Sequence, residues 1–341
     1  MKIFVYADVQ MGPRSLFNEP TASGFGLRLD DGVEACQWIA DRILEEKPDV
    51  VVNLGDTVDP IGGLGTETIG AVTIGMGYIS TACETVNADH YVMIGNHDLA
   101  YTNMRTSSVE FLDKFPNTKI VRHPLYLEHT VMVPFTEDYN YAREILKKAE
   151  EEGKTIGFTH LDFKELNYNS SYKSTDGLDA TDFKLKIFNG HVHIPQKHGA
   201  VECIGSVIQH RTTEWAKERY VIVIEGDDVR RINNDFSPHL FKTDKAELLN
   251  DLPDNTYLWF EYDPEKIHEE EVAESLARFT RTIVTKKVSI IDLKEDIVIL
   301  EGESSTEIFN NYLDNVYTRD NSLDLDKLRE KGNKIIAESE V

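Results

Sequence analysis

The sequence predicts an α/β layered domain over residues 1–240, with a smaller β-α-β unit and two short helices behind it. Three observations lead there. Short apolar runs rich in Val, Ile, Phe and Tyr recur along the chain, with the length and composition of strands buried on both faces. Amphipathic stretches separate several of these runs, and that alternation is the pattern of layered α/β folds. Five of the runs pass straight into Asp, Asn or His, at the carboxyl ends of strands where such folds gather their active sites.

Taken in order, Ile3–Ala7 is the first strand and delivers Asp8-Val9-Gln10. Gly32–Lys47 spaces Val33, Cys36, Ala40 and Ile43 as a helix does, and Pro48 stops it. Val50–Leu54 is a strand that runs into Gly55-Asp56-Thr57-Val58-Asp59. The glycine-rich stretch Ile61–Gly77 reads as a loop entering a closely packed helix. Tyr91–Ile94 delivers Gly95-Asn96-His97-Asp98, Thr155–Thr159 delivers His160, and Leu185–Phe188 delivers Asn189-Gly190-His191-Val192-His193. Tyr126–Val133 and Tyr220–Glu225 are further strands, and Tyr141–Glu152 is a helix stopped by Gly153. A single Gly or Asp after a strand is turn punctuation; five strands ending in Asp, Asn and His fit that explanation poorly. His90, His123, His129 and His198 read as ordinary surface or core histidines.

The chain changes character near Asn233. Residues 242–341 hold 24 acidic and 13 basic residues. Ser237–Asn255, with mixed charge and two prolines, reads as a linker. Tyr257–Tyr262, Pro264–Phe279 and Thr282–Leu293 then read as strand, helix and strand. Ser305–Val341 offers two amphipathic helices, the first carrying Ile308, Phe309 and Tyr312 and the second Leu328, Ile335 and Ile336.

Composition limits the function classes. At 341 residues the length prior is about two domains, and a 40% hydrophobic content is enough for an ordinary core. The formal charge of −24 argues against binding nucleic acid or anionic lipid by bulk attraction. It leaves room for a local phosphate site built on metal ions. Three widely spaced cysteines form no CxxC pair, which fits a reducing cytoplasm. No apolar run has the length of a signal peptide or membrane span, so the expectation is a cytoplasmic protein without a membrane partner.

Carboxylate and amide oxygens mixed with imidazole nitrogens make a borderline-hard site. It favours Mn²⁺ or Fe²⁺, accommodates Mg²⁺, and lacks the thiolates of structural zinc. Asp8, Asp56, Asn96, His160, His191 and His193 are enough ligands for two divalent ions sharing one carboxylate, an arrangement that clamps a phosphoryl group. No P-loop, GxGxxG or Ser/His/Asp set competes.

In these motifs and their order, DxQ, GDxxD, GNHD, a lone His and GHVH, the chain resembles the calcineurin-like metallophosphoesterases. The resemblance implies a two-sheet α+β sandwich. It implies Asp8 and His193 on the first metal, Asn96, His160 and His191 on the second, and Asp56 bridging. His97 would sit over the scissile phosphate without binding metal, and Asp59 is similar to the carboxylate that orients it. The family has His where this chain has Gln10, a neutral and weaker donor, so Gln10 is either a ligand or leaves the first site weak. Val201–Ser206, Glu214 and the strand after it are similar to the segment that closes the nuclease domain of the SbcD / Mre-eleven family. Arg28 stands where that family often has arginine. The compact length is most similar to the T-even-type phage version. That likeness implies a nuclease domain over 1–240, a capping domain over 241–303 and a helix-loop-helix over 304–341. It further implies Mn²⁺ as the favoured metal, DNA as substrate, and a homodimer. The terminal helices would grip an SbcC/Rad-type coiled-coil ATPase through Ile308, Phe309, Tyr312, Leu328 and Ile335, in a bacterial or phage-infected cytoplasm. Two alternatives stay open: a Mn²⁺-dependent nucleotide pyrophosphatase, which shares the DxQ variant, and a DNA-end-binding scaffold whose first metal site has decayed.

Overall fold

The structure is a computed structural model. It describes all residues except 15, 60–63, 101–105, 170–171, 215–217, 264–272, 274, 287–305, 307–308, 311–312, 314–324 and 340–341, and the side chains of 286, 325 and 335–339. The chain divides into two compact units, Met1–Thr285 and Lys286–Val341.

The first unit is a two-sheet sandwich with helices on its outside. One sheet is built on β1 (Lys2–Tyr6), β2 (Val50–Asn53), β3 (Asp89–Met93) and β4 (Thr118–Val121), all parallel. The antiparallel strands β11 (Tyr220–Glu225) and β12 (Asp228–Asn233) extend it, giving the order β12-β11-β1-β2-β3-β4. The other sheet contains β5 (Leu125–Tyr126), β6 (Thr130–Val133), β7 (Ile156–Thr159), β8 (Lys186–Asn189), β9 (Gln196–His198) and β10 (Val201–Cys203), in the order β5-β6-β7-β8-β10-β9. In this sheet β6, β7, β8 and β10 run parallel.

Period-two alternation decides which side chains face what. Along β1, Ile3 and Val5 point between the sheets, where they meet Val52, Met93, Met132, Phe158 and Phe188. Phe4 and Tyr6 point the other way, into the helices. Those helices are α1 (Leu27–Glu46) and α2 (Thr66–Val86). The glycine-rich stretch is thus mostly α2, and its glycines let it come close: a Cβ on Gly75 would stand 3.0 Å from Cys36 Sγ. Helix α3 (Tyr139–Glu151), capped by the Asp138 side chain on Tyr141 N–H, covers the outer face of the second sheet through Ala142, Leu146 and Ala149. Helix α1 begins five residues earlier than its apolar spacing suggests, because Leu27 and Arg28 already pack inward.

The stretch read as a linker is structured. His239–Thr243 forms β13, parallel to β14 (Thr256–Tyr262), with β15 (Arg281–Lys286) on the far side. Gln209 holds β13 by two bonds, its Nε2 to Leu240 O at 2.6 Å and its Oε1 from Leu240 N at 3.0 Å. One face of this small sheet packs Tyr257 and Leu240 on Phe17; the other packs Leu258, Phe260 and Tyr262 on Leu249, Leu252 and Phe279. The strand was obscured because its side chains are of mixed polarity and its partners lie far away in sequence. The helix expected over 264–279 and the end of the following strand fall largely outside the described residues.

In the second unit, α4 (Leu325–Ser339) receives Phe309 against Gly332, and Arg329 donates to Asn310 Oδ1 at 3.1 Å. Leu328 and Phe309 are half-buried. Ile308, Tyr312 and the side chain of Ile335 lie outside the described residues. Among the described residues no helix is long and apolar enough to cross a membrane.

Candidate metal centre

Each motif begins just past a strand, and parallel pairing sets those strand ends along one rim. Sheet one contributes Asp8 and Gln10 after β1, Asp56 and Asp59 after β2, and Asn96 and His97 after β3. Sheet two contributes His160 after β7, then His191 and His193 after β8. The turns are sharp: Asp8, Gln10, Asp56 and His191 have φ of 53°, 43°, 53° and 69°. Such left-handed backbone in non-glycine residues concentrates at functional sites. Gly55, at φ 111°, could not be replaced, since a Cβ there would lie 2.6 Å from His160 Nδ1.

The side chains converge in two overlapping groups. Asp56, His160 and His191 offer ligand atoms within 4.8 Å of one another, and so do Asp8, Asp56 and His193. Asp56 is common to both. Its Oδ1 accepts from His97 N at 2.9 Å and lies 3.3 Å from His160 Nε2; its Oδ2 accepts from Gln10 Nε2 at 3.0 Å. Asn96 Oδ1 stands 3.1 Å from His160 Nε2 and 2.8 Å from His191 Nδ1. Gln10 is buried with its amide in the site. A half-turn of that amide exchanges its NH₂ for its oxygen, the atom a metal would take.

Outer partners fix which imidazole nitrogen is free. Main-chain carbonyls and carboxylates only accept, so the proton lies on the ring nitrogen facing them. His160 Nδ1 donates to Leu54 O at 2.8 Å, His191 Nε2 to Asp162 Oδ1 at 3.0 Å, and His193 Nδ1 to Glu214 Oε1 at 2.9 Å. His160 Nε2, His191 Nδ1 and His193 Nε2 are left as ligand atoms. Asp162 also accepts from Tyr139 at 3.0 Å and from Tyr168. Burial opposes its charge, but His191 and the two tyrosines outweigh that and hold the carboxyl well below the usual range. Burial likewise opposes the charge on Glu214, yet His193, Arg219 and Arg211 bring it down to about 2.

A cation is what the centre calls for. Asp8 Oδ1 accepts from His191 N at 3.0 Å, while its Oδ2 is buried without a hydrogen-bond partner, a costly state for a carboxylate. Burial raises the Asp8 pKa, and neighbouring Asp56 adds to it. Burial opposes a proton on His160, but Asp56 and Asp8 hold its pKa up at about 9. Divalent ions would supply the positive charge in place of that proton. The donors are oxygen and imidazole nitrogen, and Cys36, Cys83 and Cys203 are buried and free elsewhere, so the residues fit a pair of borderline-hard ions.

His97 Nδ1 is bonded to the main-chain carbonyl of Asp59 at 2.5 Å. The Asp59 carboxylate instead pairs with Arg14 at 2.8 Å. Orientation of His97 therefore comes from the Asp59 backbone, with Arg14 bracing the loop through a second bond to Gln10 O at 3.1 Å.

Several supports were not evident in the sequence. Asp98 Oδ1 accepts from Thr57 N and Val58 N at 2.9 and 3.1 Å, and Oδ2 from Gly95 N at 2.9 Å, tying two motif loops together. Burial and the nearby Asp56 raise Asp98 to about 7. His210 Nε2 donates to Asp8 O at 2.8 Å. Arg219 donates to His193 O, Ser206 O and Glu214 O. Asp162, two residues after a ligand-type histidine, had a usable signal; the others act over long range or on backbone atoms. A cleft of about 260 Å³ opens over the centre, bounded by His97 and Tyr168 and by Tyr172, which is 54% exposed.

Two sheets meeting at a rim of Asp, Asn and His that shares one carboxylate define a metal-dependent phosphoesterase. The chain belongs to the calcineurin-like phosphoesterase family, whose model matches residues 1–195. Among solved structures it is similar to a dimetal phosphatase from Danio rerio, at 10% identity and TM-score 0.39, covering 68% of this chain and 95% of that one. It is also similar to the phosphoesterase Yfce from E. coli, at 13% identity and TM-score 0.33, covering 67% and 91%. Vps29 from Entamoeba histolytica is a third, at 11% identity and TM-score 0.29, covering 69% and 100%. No curated protein matches the sequence.

Proposed function

We propose that the protein is the nuclease subunit of an SbcCD-type repair and recombination complex, hydrolysing DNA phosphodiesters with two divalent ions, Mn²⁺ favoured. The observation that carries this reading is the small sheet β13–β14–β15, seated against the domain that holds the metal centre. Tyr257 Oη donates to the buried Asp31 at 3.1 Å, and Asp31 pairs with Arg28, itself bonded to Gln209 O at 2.6 Å. A small sheet docked on the domain in this way supports the capping domain that the SbcD / Mre-eleven likeness implies. The likeness of Val201–Ser206 and Glu214 to the SbcD / Mre-eleven family supports the same reading.

Bound ions would neutralise the phosphoryl oxygens and supply a nucleophilic water at neutral pH. Asp8, Gln10 and His193 would hold one ion, Asn96, His160 and His191 the other, and Asp56 both. His97, held by the Asp59 carbonyl and lining the cleft, would be the group that steadies the phosphate or protonates the leaving oxygen. The terminal helices, with Phe309 and Leu328, are proposed to dock a coiled-coil ATPase that gates DNA access, and the nuclease to work as a homodimer. Purification with and without such an ATPase, followed by Mn²⁺-dependent cleavage of end-labelled duplex DNA, tests the reading. Cleavage of neither duplex ends nor single strands in either preparation would overturn it. Gln10 motivates a second reading, a Mn²⁺-dependent nucleotide pyrophosphatase; release of mononucleotide from ADP-ribose with no action on DNA would favour it.

A further inference from the structure

Beside the metal cleft lies a second pocket, of about 320 Å³. Its lining includes Arg14, Arg28 and Arg211 together with the apolar Phe17 and Leu240. Arg211 and Thr213 line both this pocket and the metal cleft, so the two adjoin. Three arginines converging in a chain of net charge −24 run against its composition. They lie near enough for Arg28 and Arg211 to add to the burial that lowers the Arg14 pKa. Arg14 and Arg28 are paired, with Asp59 and Asp31. Arg211 is the loosely held one: its side chain is 65% exposed, and its Nε stands 3.9 Å from Glu214 Oε1, an oxygen already bonded to His193.

We infer that this pocket binds a second phosphate of the substrate, the one flanking the scissile diester, with Arg211 as its principal donor and Phe17 and Leu240 bordering the attached nucleoside. The inference rests on the phosphodiesterase reading above and names its substrate class: diesters that carry another phosphate one unit away. The planar guanidinium fork of Arg211 matches phosphate oxygens. The flanking group is either a terminal monophosphate or an internal diester of a longer strand; both offer the same oxygens.

The test compares kcat/KM in Mn²⁺ for TpT, the terminally phosphorylated pTpT and TpTp, and the trinucleotide TpTpT. It is paired with calorimetric binding of thymidine 3′,5′-bisphosphate against thymidine 5′-monophosphate. The expected result is a preference of about tenfold or more for substrates bearing a second phosphate, the scale of one charged hydrogen bond. Arg211→Ala should bring that preference close to one, and Arg211→Lys should restore part of it. Preference for pTpT or TpTp alone assigns the pocket to a terminal phosphate, and preference extending to TpTpT assigns it to an internal one. TpT cleaved as fast as the others, with equal binding of the two nucleotides, would overturn the pocket and leave the diesterase reading standing. No diester cleavage, but bisphosphate binding that weakens in Arg211→Ala, would overturn the diesterase reading and retain the pocket.

Discussion

At the scale of single residues, the centre separates groups that would hold metal from groups that would act beside it. Asp56→Ala removes the one carboxylate common to both sets, and should abolish Mn²⁺-dependent cleavage with loss of bound metal measured by atomic emission. His97→Ala should keep the metal and lose about 10²–10⁴-fold in turnover, the range of a positioned acid; normal turnover in that variant would remove His97 from the chemistry. Asp162→Asn leaves every ligand in place but unsettles the His191 ring, and metal affinity should fall by about 10–100-fold. His90 gives a pH signature away from the centre. It is fully buried against Tyr6 and Thr118, and burial lowers its pKa to about 3. The unfolded chain therefore binds the extra proton between about pH 3 and 6.5, so this share of stability is present above 6.5 and fades as pH falls. By pH 5 the loss should be about 2 kcal/mol, and denaturant titrations of His90→Gln should have a shallower acid slope. The motif aspartates, asparagine and histidines were legible in the sequence because strand ends carried them in order. Gln10 was legible as a departure. The contact of His97 with the Asp59 carbonyl was not legible, because a main-chain carbonyl leaves no trace in residue identity.

At the scale of elements, the sheets were readable because strands such as Val50–Asn53 are buried on both faces and so are apolar throughout. Helix α2 was less so: its mean composition is apolar and glycine-rich, and only packing against α1 explains the glycines. Gly75→Val should press into Cys36 and Met11, costing about 1–3 kcal/mol in thermal or chemical unfolding while leaving the metal ligands untouched. Strand β13 was missed for the opposite reason, since its order comes from Gln209, some thirty residues earlier. Tyr257→Phe should loosen the small sheet by removing the bond to Asp31, a buried carboxylate already raised by burial despite Arg28. Limited proteolysis near residue 245, faster in that variant than in the wild type, checks this.

At the scale of the molecule, the acidic charge has a location. The first 60 residues hold eleven acidic and five basic residues, whereas 154–200 hold five and six. DNA held by this chain should depend on divalent ions and weaken steeply with salt. Fluorescence anisotropy in Mn²⁺ and in chelator, at rising ionic strength, measures both; tight binding without metal at physiological salt would contradict the reading.

The division of ligands between the two sheets has a mechanical side. Asp8, Asp56 and Asn96 belong to one layer, and His160, His191 and His193 to the other. Between the layers at that rim the described bonds run through the ligand groups themselves, from His160 to Leu54 O and Asn96 and from His191 to Asn96 and Asp8. Metal ions there would act as rivets across the seam, adding to those bonds where the two layers meet at their active edge. Stripping them should lower the unfolding temperature, since a ligand of the folded state alone stabilises it. Amide exchange should quicken first along the rim ends of β7 and β8 rather than evenly through the sandwich.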